Sequence, residues 1–131
     1  MKWIYACPAC AAMLNPGETI ILVGVNEDRR MLMAFSPEPG NYELHVPPHT
    51  TVTPGSLWGF YCPVCHESLT TQENENLSSL DLIEGSARRR VFFSRVAGEH
   101  ATVVLADKQV TGYGEHAPTY MQFFLQMKHL T

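Results

Sequence analysis

Two matching stretches of the sequence decide the fold. Residues 3–14 read WIYACPACAAML, and residues 58–69 read WGFYCPVCHESL. Aligned on their cysteines, they share the pattern W-x-[YF]-x-C-P-x-C-x-x-x-L, and they contain all four cysteines and both tryptophans of the chain. Because alternate residues of a strand share a face, the tryptophan, the aromatic residue and the first cysteine of each stretch are predicted to line one face. Each stretch therefore predicts a strand that ends in a two-cysteine turn, and we expect the two units to face each other with approximate twofold symmetry.

The four cysteines are predicted to bind a single metal ion. A C-x-x-C turn presents two thiolates to one ion, and a second such turn completes a tetrahedral set. The proline after each first cysteine fixes φ in the turn and leaves the following amides free to bond to sulfur. The predicted ligands are Cys7, Cys10, Cys62 and Cys65.

Two other uses of paired cysteines are less consistent with the sequence. Disulfides require an oxidising compartment, and nothing in the sequence indicates one. A glutaredoxin-type redox pair requires its cysteines at the start of a long helix, where the thiol pKa is lowered. Here Asn15, Pro16 and Gly17 end any helix shortly after Cys10.

The cysteine pairs and their flanks, about a fifth of the chain, resemble the zinc-ribbon class of the rubredoxin-like superfamily. This resemblance implies two knuckles on β-hairpins and a structural zinc ion. True rubredoxins instead hold iron and transfer electrons, and they commonly carry glycine directly after the second cysteine. In this sequence those positions are Ala11 and His66, and the segment between the knuckles is far longer. Both departures favour zinc and leave iron as the alternative cofactor.

Length and composition place the chain among ordinary globular proteins. It has 131 residues, of which 45% are hydrophobic and 17% charged, and a formal net charge of −4. This length suits one domain, or one domain with a small subdomain. No apolar run approaches the ~20 residues that a membrane-spanning helix needs, and no secretory signal is evident. We therefore expect no membrane partner and a cytoplasmic location.

The predicted fold is a β-rich α+β domain in which the two knuckles enclose a long β insertion. Residues 1–75 form the zinc-ribbon region with the insertion at 15–56, and residues 76–131 form a meander and helix packed with it as one unit. The helix begins near Pro118 and presents an apolar stripe. Segment 73–79 is predicted to be polar, exposed and the best boundary. The predicted strands outside the knuckles are 19–25, 31–35, 42–46, a short 50–53, 90–96, 101–106 and 109–113; the stripe comprises Tyr120, Phe123, Phe124, Met127 and Leu130.

Three further groups of residues suggest chemistry but have simpler interpretations. The tetrapeptide Gly-Glu-His-Ala occurs at 98–101 and again at 114–117. Its acidic and imidazole side chains could form a second metal site or an acid–base pair, but solvated turn residues are favoured. His45 and His49 are favoured as exposed loop residues. The arginines at 29–30, 88–90 and 95 could contact phosphates, yet the net negative charge favours a solvated strand start. The repeat contributes Glu99, His100, Glu115 and His116.

The sequence favours a non-enzymatic function. No phosphate-binding loop, dinucleotide fingerprint, nucleophile elbow or zinc-protease motif occurs. A zinc ion closed off by four thiolates also has no open position for catalysis. The preferred hypothesis is a structural zinc ion that supports a surface for binding another macromolecule, most simply a protein. The alternatives are rubredoxin-like electron transfer at iron and nucleic-acid binding through the arginine-rich strand.

Overall fold

A computed structural model describes residues 3–106 and 109–130, with side chains described as far as residue 126. Within these residues the chain forms a β-rich fold with a C-terminal helix. The strands are β1 (Ile4–Ala6), β2 (Ile20–Asn26), β3 (Arg29–Phe35), β4 (Leu44–His45), β5 (Gly59–Tyr61), β6 (Leu77–Glu84), β7 (Ala87–Ser94), β8 (Thr102–Ala106) and β9 (Gln109–Tyr113), and the helix is α1 (Ala117–Leu130).

The strands form two antiparallel sheets. The four-stranded sheet has the order β4-β3-β2-β5, and the five-stranded sheet has the order β1-β6-β7-β8-β9. Each of the two matching sequence stretches contributes one short strand, β1 or β5. β1 pairs with β6, which follows the second stretch, whereas β5 pairs with β2, which follows the first. The two halves of the chain therefore exchange their short strands, and neither sheet is complete without the other half.

The main core lies between the two sheets. Leu22 and Met33 from the four-stranded sheet and Leu80 and Val91 from the five-stranded sheet are nearly inaccessible to solvent. A second cluster lies on the opposite face of the five-stranded sheet, where α1 packs. There the ring of Phe92 lies 4.5 Å from the ring of Phe124. The five-stranded sheet is thus covered on both faces, by the other sheet and by the helix.

Several predicted elements are confirmed. The strands predicted at 19–25 and 31–35 correspond to β2 and β3, and the predicted meander corresponds to β7, β8 and β9. The helix begins at Ala117, and Tyr120 and Phe124 are buried against the sheet as its stripe predicts. Residues 107–108, between the predicted strands 101–106 and 109–113, and the side chains of Met127 and Leu130 lie outside the described residues. In the part of the chain that is described, no helix is long and apolar enough to cross a membrane.

Other local predictions are wrong. Segment 73–79 is not uniformly exposed, because β6 begins at Leu77 and buries Ser78 and Ser79. The strand predicted at 42–46 shortens to the exposed pair of β4, and 50–53 contains no strand. The polar residues of β6 concealed a strand because burial there depends on partners that are distant in sequence.

Candidate metal centre

The two cysteine turns have the same backbone hydrogen bonds. The N–H of Cys7 donates to the carbonyl oxygen of Ala12 at 3.0 Å, and the N–H of Cys62 donates to that of Glu67 at 3.1 Å. Beyond the turn, the N–H of Leu14 returns to the oxygen of Tyr5, and the N–H of Leu69 returns to that of Phe60, both at 2.8 Å. Each unit is therefore a strand, a tight turn and a return segment, as the matching sequences predict.

The turns bring the four thiols together. The Sγ atoms of Cys7, Cys10, Cys62 and Cys65 all lie within 4.8 Å of one another. Cys7 and Cys65 are 3.8 Å apart between sulfurs, and so are Cys10 and Cys62. A disulfide would require about 2.05 Å. Four sulfurs each about 2.3 Å from one ion are about 3.8 Å apart along the edges of a tetrahedron, so the donor set fits a tetrahedral metal ion.

Backbone amides stabilise negative charge on the sulfurs. The N–H of Ala9 donates to Cys7 Sγ, and the N–H of Val64 donates to Cys62 Sγ, both at 3.3 Å. Burial opposes ionisation of Cys62, but amides from Cys65 and Val64 and neighbouring thiols lower its pKa to about 7. Burial dominates at Cys7 and raises the pKa of that thiol to about 12. Without a cation the cluster therefore resists full ionisation, and a bound cation would supply the charge that four thiolates need.

The residue after each second cysteine adopts a left-handed backbone conformation. Ala11 has φ of 65° and His66 has φ of 66°. This conformation lets the N–H groups of Ala11 and His66 donate to the carbonyl oxygens of Cys7 and Cys62, both at 2.9 Å. Neither residue is glycine, so both knuckles retain a strained position that their hydrogen bonding requires.

A metal ion at these cysteines would connect the two sheets. The first turn follows β1, which belongs to the five-stranded sheet, and the second follows β5, which belongs to the four-stranded sheet. Cys7 and Cys62 are fully buried, whereas Cys10 is exposed and Cys65 is partly buried. The centre therefore sits at one end of the interface between the sheets, with one side open to solvent.

The two halves of the Gly-Glu-His-Ala repeat meet, but they do not form a second metal cluster. The N–H of His100 donates to Nδ1 of His116, and the N–H of His116 donates to the oxygen of His100, both at 2.9 Å. Glu99 is directed elsewhere and accepts hydrogen bonds from Ser94 and Tyr120. Glu115 lies 3.6 Å from His100. In the described ranges 3–106 and 109–130, the four cysteines are the only group of three or more side chains close enough together to bind one metal ion.

The arginines are largely engaged by acidic or carbonyl groups. Arg88 and Arg90 lie 3.0 and 3.2 Å from the carboxylate of Asp81, and Arg89 lies 3.7 Å from Glu84. Arg95 donates to the carbonyl oxygen of Trp58 at 2.7 Å. The arginine-rich strand is thus paired in part within the fold, since Arg88 and Arg90 share the single carboxylate of Asp81 and keep 51% and 42% of their side chains exposed.

The histidines of the predicted loop are exposed, as expected. His45 lies 3.4 Å from Glu43, with most of both side chains in solvent. His49 is exposed and has φ of 66° in a turn. Neither belongs to the metal cluster.

An apolar face on the four-stranded sheet was not anticipated from the sequence. Tyr61, Val23 and Leu32 lie side by side across β5, β2 and β3, pointing away from the core. Ile21 and Ala34 form the next row, and Leu32 is 58% exposed. The available signal was the run Ile20 to Val25, since apolar residues at successive strand positions predict that both faces are apolar. We call Ile21, Val23, Val25, Leu32, Ala34 and Tyr61 the outer apolar face.

In comparisons with known proteins, no family model, no curated protein and no solved structure matches this chain. The functional proposal therefore rests on the geometry of the chain itself.

Proposed function

We propose that this protein is a non-enzymatic, cytoplasmic zinc protein whose metal centre supports a protein-binding surface. The observation that carries the zinc proposal is the 3.8 Å separation of the sulfurs across the two knuckles. A tetrathiolate site with tetrahedral spacing is typical of structural zinc and has no open position for substrate. Zinc at Cys7, Cys10, Cys62 and Cys65 would hold β1 and β5, and thereby both sheets, in place.

The outer apolar face is the proposed interaction surface. Leu32 is exposed and Val23 beside it is partly buried, whereas the outer face of the five-stranded sheet is covered by α1. A contiguous apolar face of this kind marks an interaction site more often than isolated apolar residues do. Arg30 lies at one end of the face, beside Val25, and His45 lies at the other, beside Ala34.

These features favour an amphipathic helix of a partner protein as the occupant. The chain itself uses a helix to cover the outer face of its other sheet, where Phe124 packs on Phe92. The guanidinium of Arg30 at one end of the apolar rows complements an acidic residue beside an apolar stripe. None of the residues that define the outer apolar face is acidic, so a second copy is the less suitable occupant.

Metal analysis tests the zinc proposal. We expect one zinc per chain by elemental analysis, a colourless protein, and loss of the metal in Cys62→Ser. An iron content with a visible thiolate-to-iron absorption would instead support the electron-transfer alternative. A metal-free chain with an intact fold would overturn the metal proposal altogether.

Site-specific photo-crosslinking tests the surface. A benzophenone amino acid at position 32 should crosslink to a helical segment with an apolar stripe and acidic flanks, and Val23→Asp in the same chain should abolish the product. The matched control places the probe at Thr111, an exposed position on β9. Crosslinks only to a second copy, only to nucleic acid, or equally from both positions would overturn this surface as a helix-binding site.

A further inference from the structure

A cavity of about 210 Å³ lies between the two sheets, away from the metal centre. Its walls consist mostly of aliphatic and aromatic side chains, and they come from both sheets. The cavity reaches into the main core, because its deepest wall residues are nearly inaccessible to solvent. These residues are Leu22 and Met33 of the four-stranded sheet and Leu80 and Val91 of the five-stranded sheet.

The size of the cavity suits one substituted ring. An engineered cavity of about 150 Å³ lined by Leu, Ile and Phe side chains binds benzene. The present cavity is somewhat larger and has similar walls, so a ring with a short substituent fits its volume. A concave site of this kind, lined mainly by apolar and aromatic side chains, is the usual form of a small-molecule site.

Three phenylalanine rings form one part of the cavity wall. Phe35 and Phe60 of the four-stranded sheet have ring centroids 5.4 Å apart and planes at 83° to each other. The ring of Phe93, from the five-stranded sheet, lies 5.5 Å from Phe60 and 6.2 Å from Phe35, and it is tilted against both. In such pairs the positive edge of one ring meets the negative face of another. An aromatic ligand can extend this cluster in the same way, whereas an aliphatic ring gains only the burial of its surface.

The loop between β3 and β4 lines one side of the cavity and is fastened to the five-stranded sheet. The Tyr5 hydroxyl donates to the carbonyl oxygen of Pro37 at 2.7 Å. The Tyr42 hydroxyl lies 3.0 Å from Thr102 Oγ1 and donates to the carbonyl oxygen of Tyr113 at 2.9 Å. Pro37 and Tyr42 both line the cavity. Because these contacts hold the loop in place, the cavity is preformed, and binding does not require the loop to become ordered.

The charged groups around the cavity do not select a charged ligand. They include groups of both signs, namely the carboxylates of Glu38, Glu43 and Glu99 and the guanidinium of Arg95. Arg95 already donates to two backbone carbonyl oxygens, and Glu99 accepts hydrogen bonds from Ser94 and Tyr120 on the side of the sheet where α1 packs. An ion among the apolar walls would lose its hydration without a partner that compensates for it. These features favour an uncharged ligand.

We propose that this cavity binds an uncharged monocyclic aromatic compound, such as an alkylbenzene, between the two sheets. The ring would occupy space among apolar side chains and make edge-to-face contacts with the three phenylalanine rings. The proposal is independent of the zinc and of the outer apolar face. Among the described residues that line the cavity, none is a cysteine and none belongs to that face.

Titrations of the metal-loaded full chain test the proposal, with amide chemical shifts as the readout. The probes are toluene, methylcyclohexane, benzylamine and benzoate, which are similar in size and differ in aromaticity or charge. We expect toluene to shift the amides of cavity residues and methylcyclohexane to bind about two- to tenfold more weakly. Benzylamine and benzoate should each bind at least about tenfold more weakly than toluene. We also expect intermolecular proton contacts between the toluene ring and the methyl groups of Leu80 and Val91.

A pair of variants tests whether the cavity is the site. Val52→Trp places a larger side chain in the cavity wall and should abolish toluene binding, whereas Thr51→Trp, at the exposed neighbouring position, should not. If Val52→Trp does not fold, the proton contacts measured on the wild-type chain decide the location of the ring.

Four results would overturn the proposal. They are the absence of shifts at cavity residues near the solubility limit of toluene, equal affinity for methylcyclohexane or for either ion, undiminished binding to folded Val52→Trp, and toluene contacts at the outer apolar face instead of at Leu80.

Discussion

The two long hairpins of this protein have the same neighbours on one face and different neighbours on the other. β2–β3 and β6–β7 each follow a cysteine turn, each pair with the short strand from the opposite half, and both contribute their inner face to one core. The outer face of β7 is covered by α1, whereas Leu32 on β3 remains 58% exposed. The comparison teaches that pairing with a short strand and the shared core place both hairpins without a helix on the first outer face, and this difference is why the proposed partner is assigned to that face.

The largest expected effect tests whether the two cysteine turns contribute equally to the stability of the fold. Cys7→Ser and Cys62→Ser should each lower the melting temperature by about 15 °C or more, because each removes a buried thiolate from the centre that joins the sheets. Cys10→Ser should have a smaller effect, since Cys10 is exposed and water can replace its sulfur. Thermal unfolding followed by circular dichroism, with zinc content measured on the same samples, provides the comparison.

Chelation supplies the control for these variants. Removing the metal from the wild-type chain should destabilise it at least as much as Cys62→Ser does, and adding a chelator to that variant should have little further effect. If Cys7→Ser and Cys62→Ser differed by more than a few degrees, the two turns would not be equivalent. Full stability in both variants would exclude a role for metal in folding.

Truncating a large side chain should affect stability differently on the two outer faces, the α1-covered face of the five-stranded sheet and the outer apolar face of the four-stranded sheet. Phe92→Ala should lower the free energy of unfolding by about 3–4 kcal/mol, because Phe92 is 2% exposed and packs on Phe124. Leu32→Ala should change it by less than about 0.5 kcal/mol, because its side chain is already mostly in water. Denaturant unfolding of the two variants measures both values.

The same pair of variants also reveals whether the outer apolar face is covered in solution. If Leu32→Ala lowers the free energy of unfolding as much as Phe92→Ala does, the outer apolar face is buried in the isolated protein. Sedimentation should then show that the protein self-associates through this face. A small effect of Phe92→Ala would show instead that α1 is not stably packed.

The cysteine turns were predictable because their determinants are local. Spacing, proline and the flanking aromatic residues lie within twelve-residue stretches, and the structure places the thiols as that spacing implies. β6 was not predictable in the same way, because its burial depends on distant partners. On one side β6 pairs with β1 from the start of the chain, which places Ile4 opposite Ile83 and Tyr5 opposite Leu82. The exchange of β1 and β5 between halves is likewise a pairing that local patterns do not encode.

The stacking of Tyr42 on His100 and the outer apolar face depend on long-range packing in the same way. Tyr42 meets His100 through a contact between residues far apart in the chain, which no periodicity indicates. The apolar run from Ile20 to Val25 indicated the outer apolar face, but such a run is equally typical of a strand that is buried on both sides. Which of the two applies is decided by the position of α1, and α1 covers the other sheet.

A buried polar residue provides a finer test of the correspondence between the hairpins. The N–H of Ile21 donates to Leu14 and the N–H of Ser79 donates to Leu69, so Ser78 occupies the position that Ile20 has in the first hairpin. Ser78 is fully buried, and its hydroxyl has no hydrogen-bond partner among the described residues. Ser78→Ala should therefore stabilise the protein by about 1 kcal/mol in denaturant unfolding. A loss of stability would show that the hydroxyl is hydrogen bonded in solution.

The smallest expected effect tests the symmetry of the turns at the backbone level. Ala11→Gly and His66→Gly should each stabilise the protein by about 0.5–1 kcal/mol, because glycine adopts positive φ without the steric penalty of a Cβ atom. This value is the net gain, since glycine also makes the unfolded chain more flexible and so offsets part of the stabilisation. Since the two φ angles differ by only 1°, the gains should be nearly equal. Ala9→Gly, in the same turn but with φ outside the left-handed region, should destabilise by a similar amount. Chemical unfolding of the metal-loaded variants measures all three, and a gain at only one of the two symmetric positions would mean that the turns are matched in sequence but not in strain.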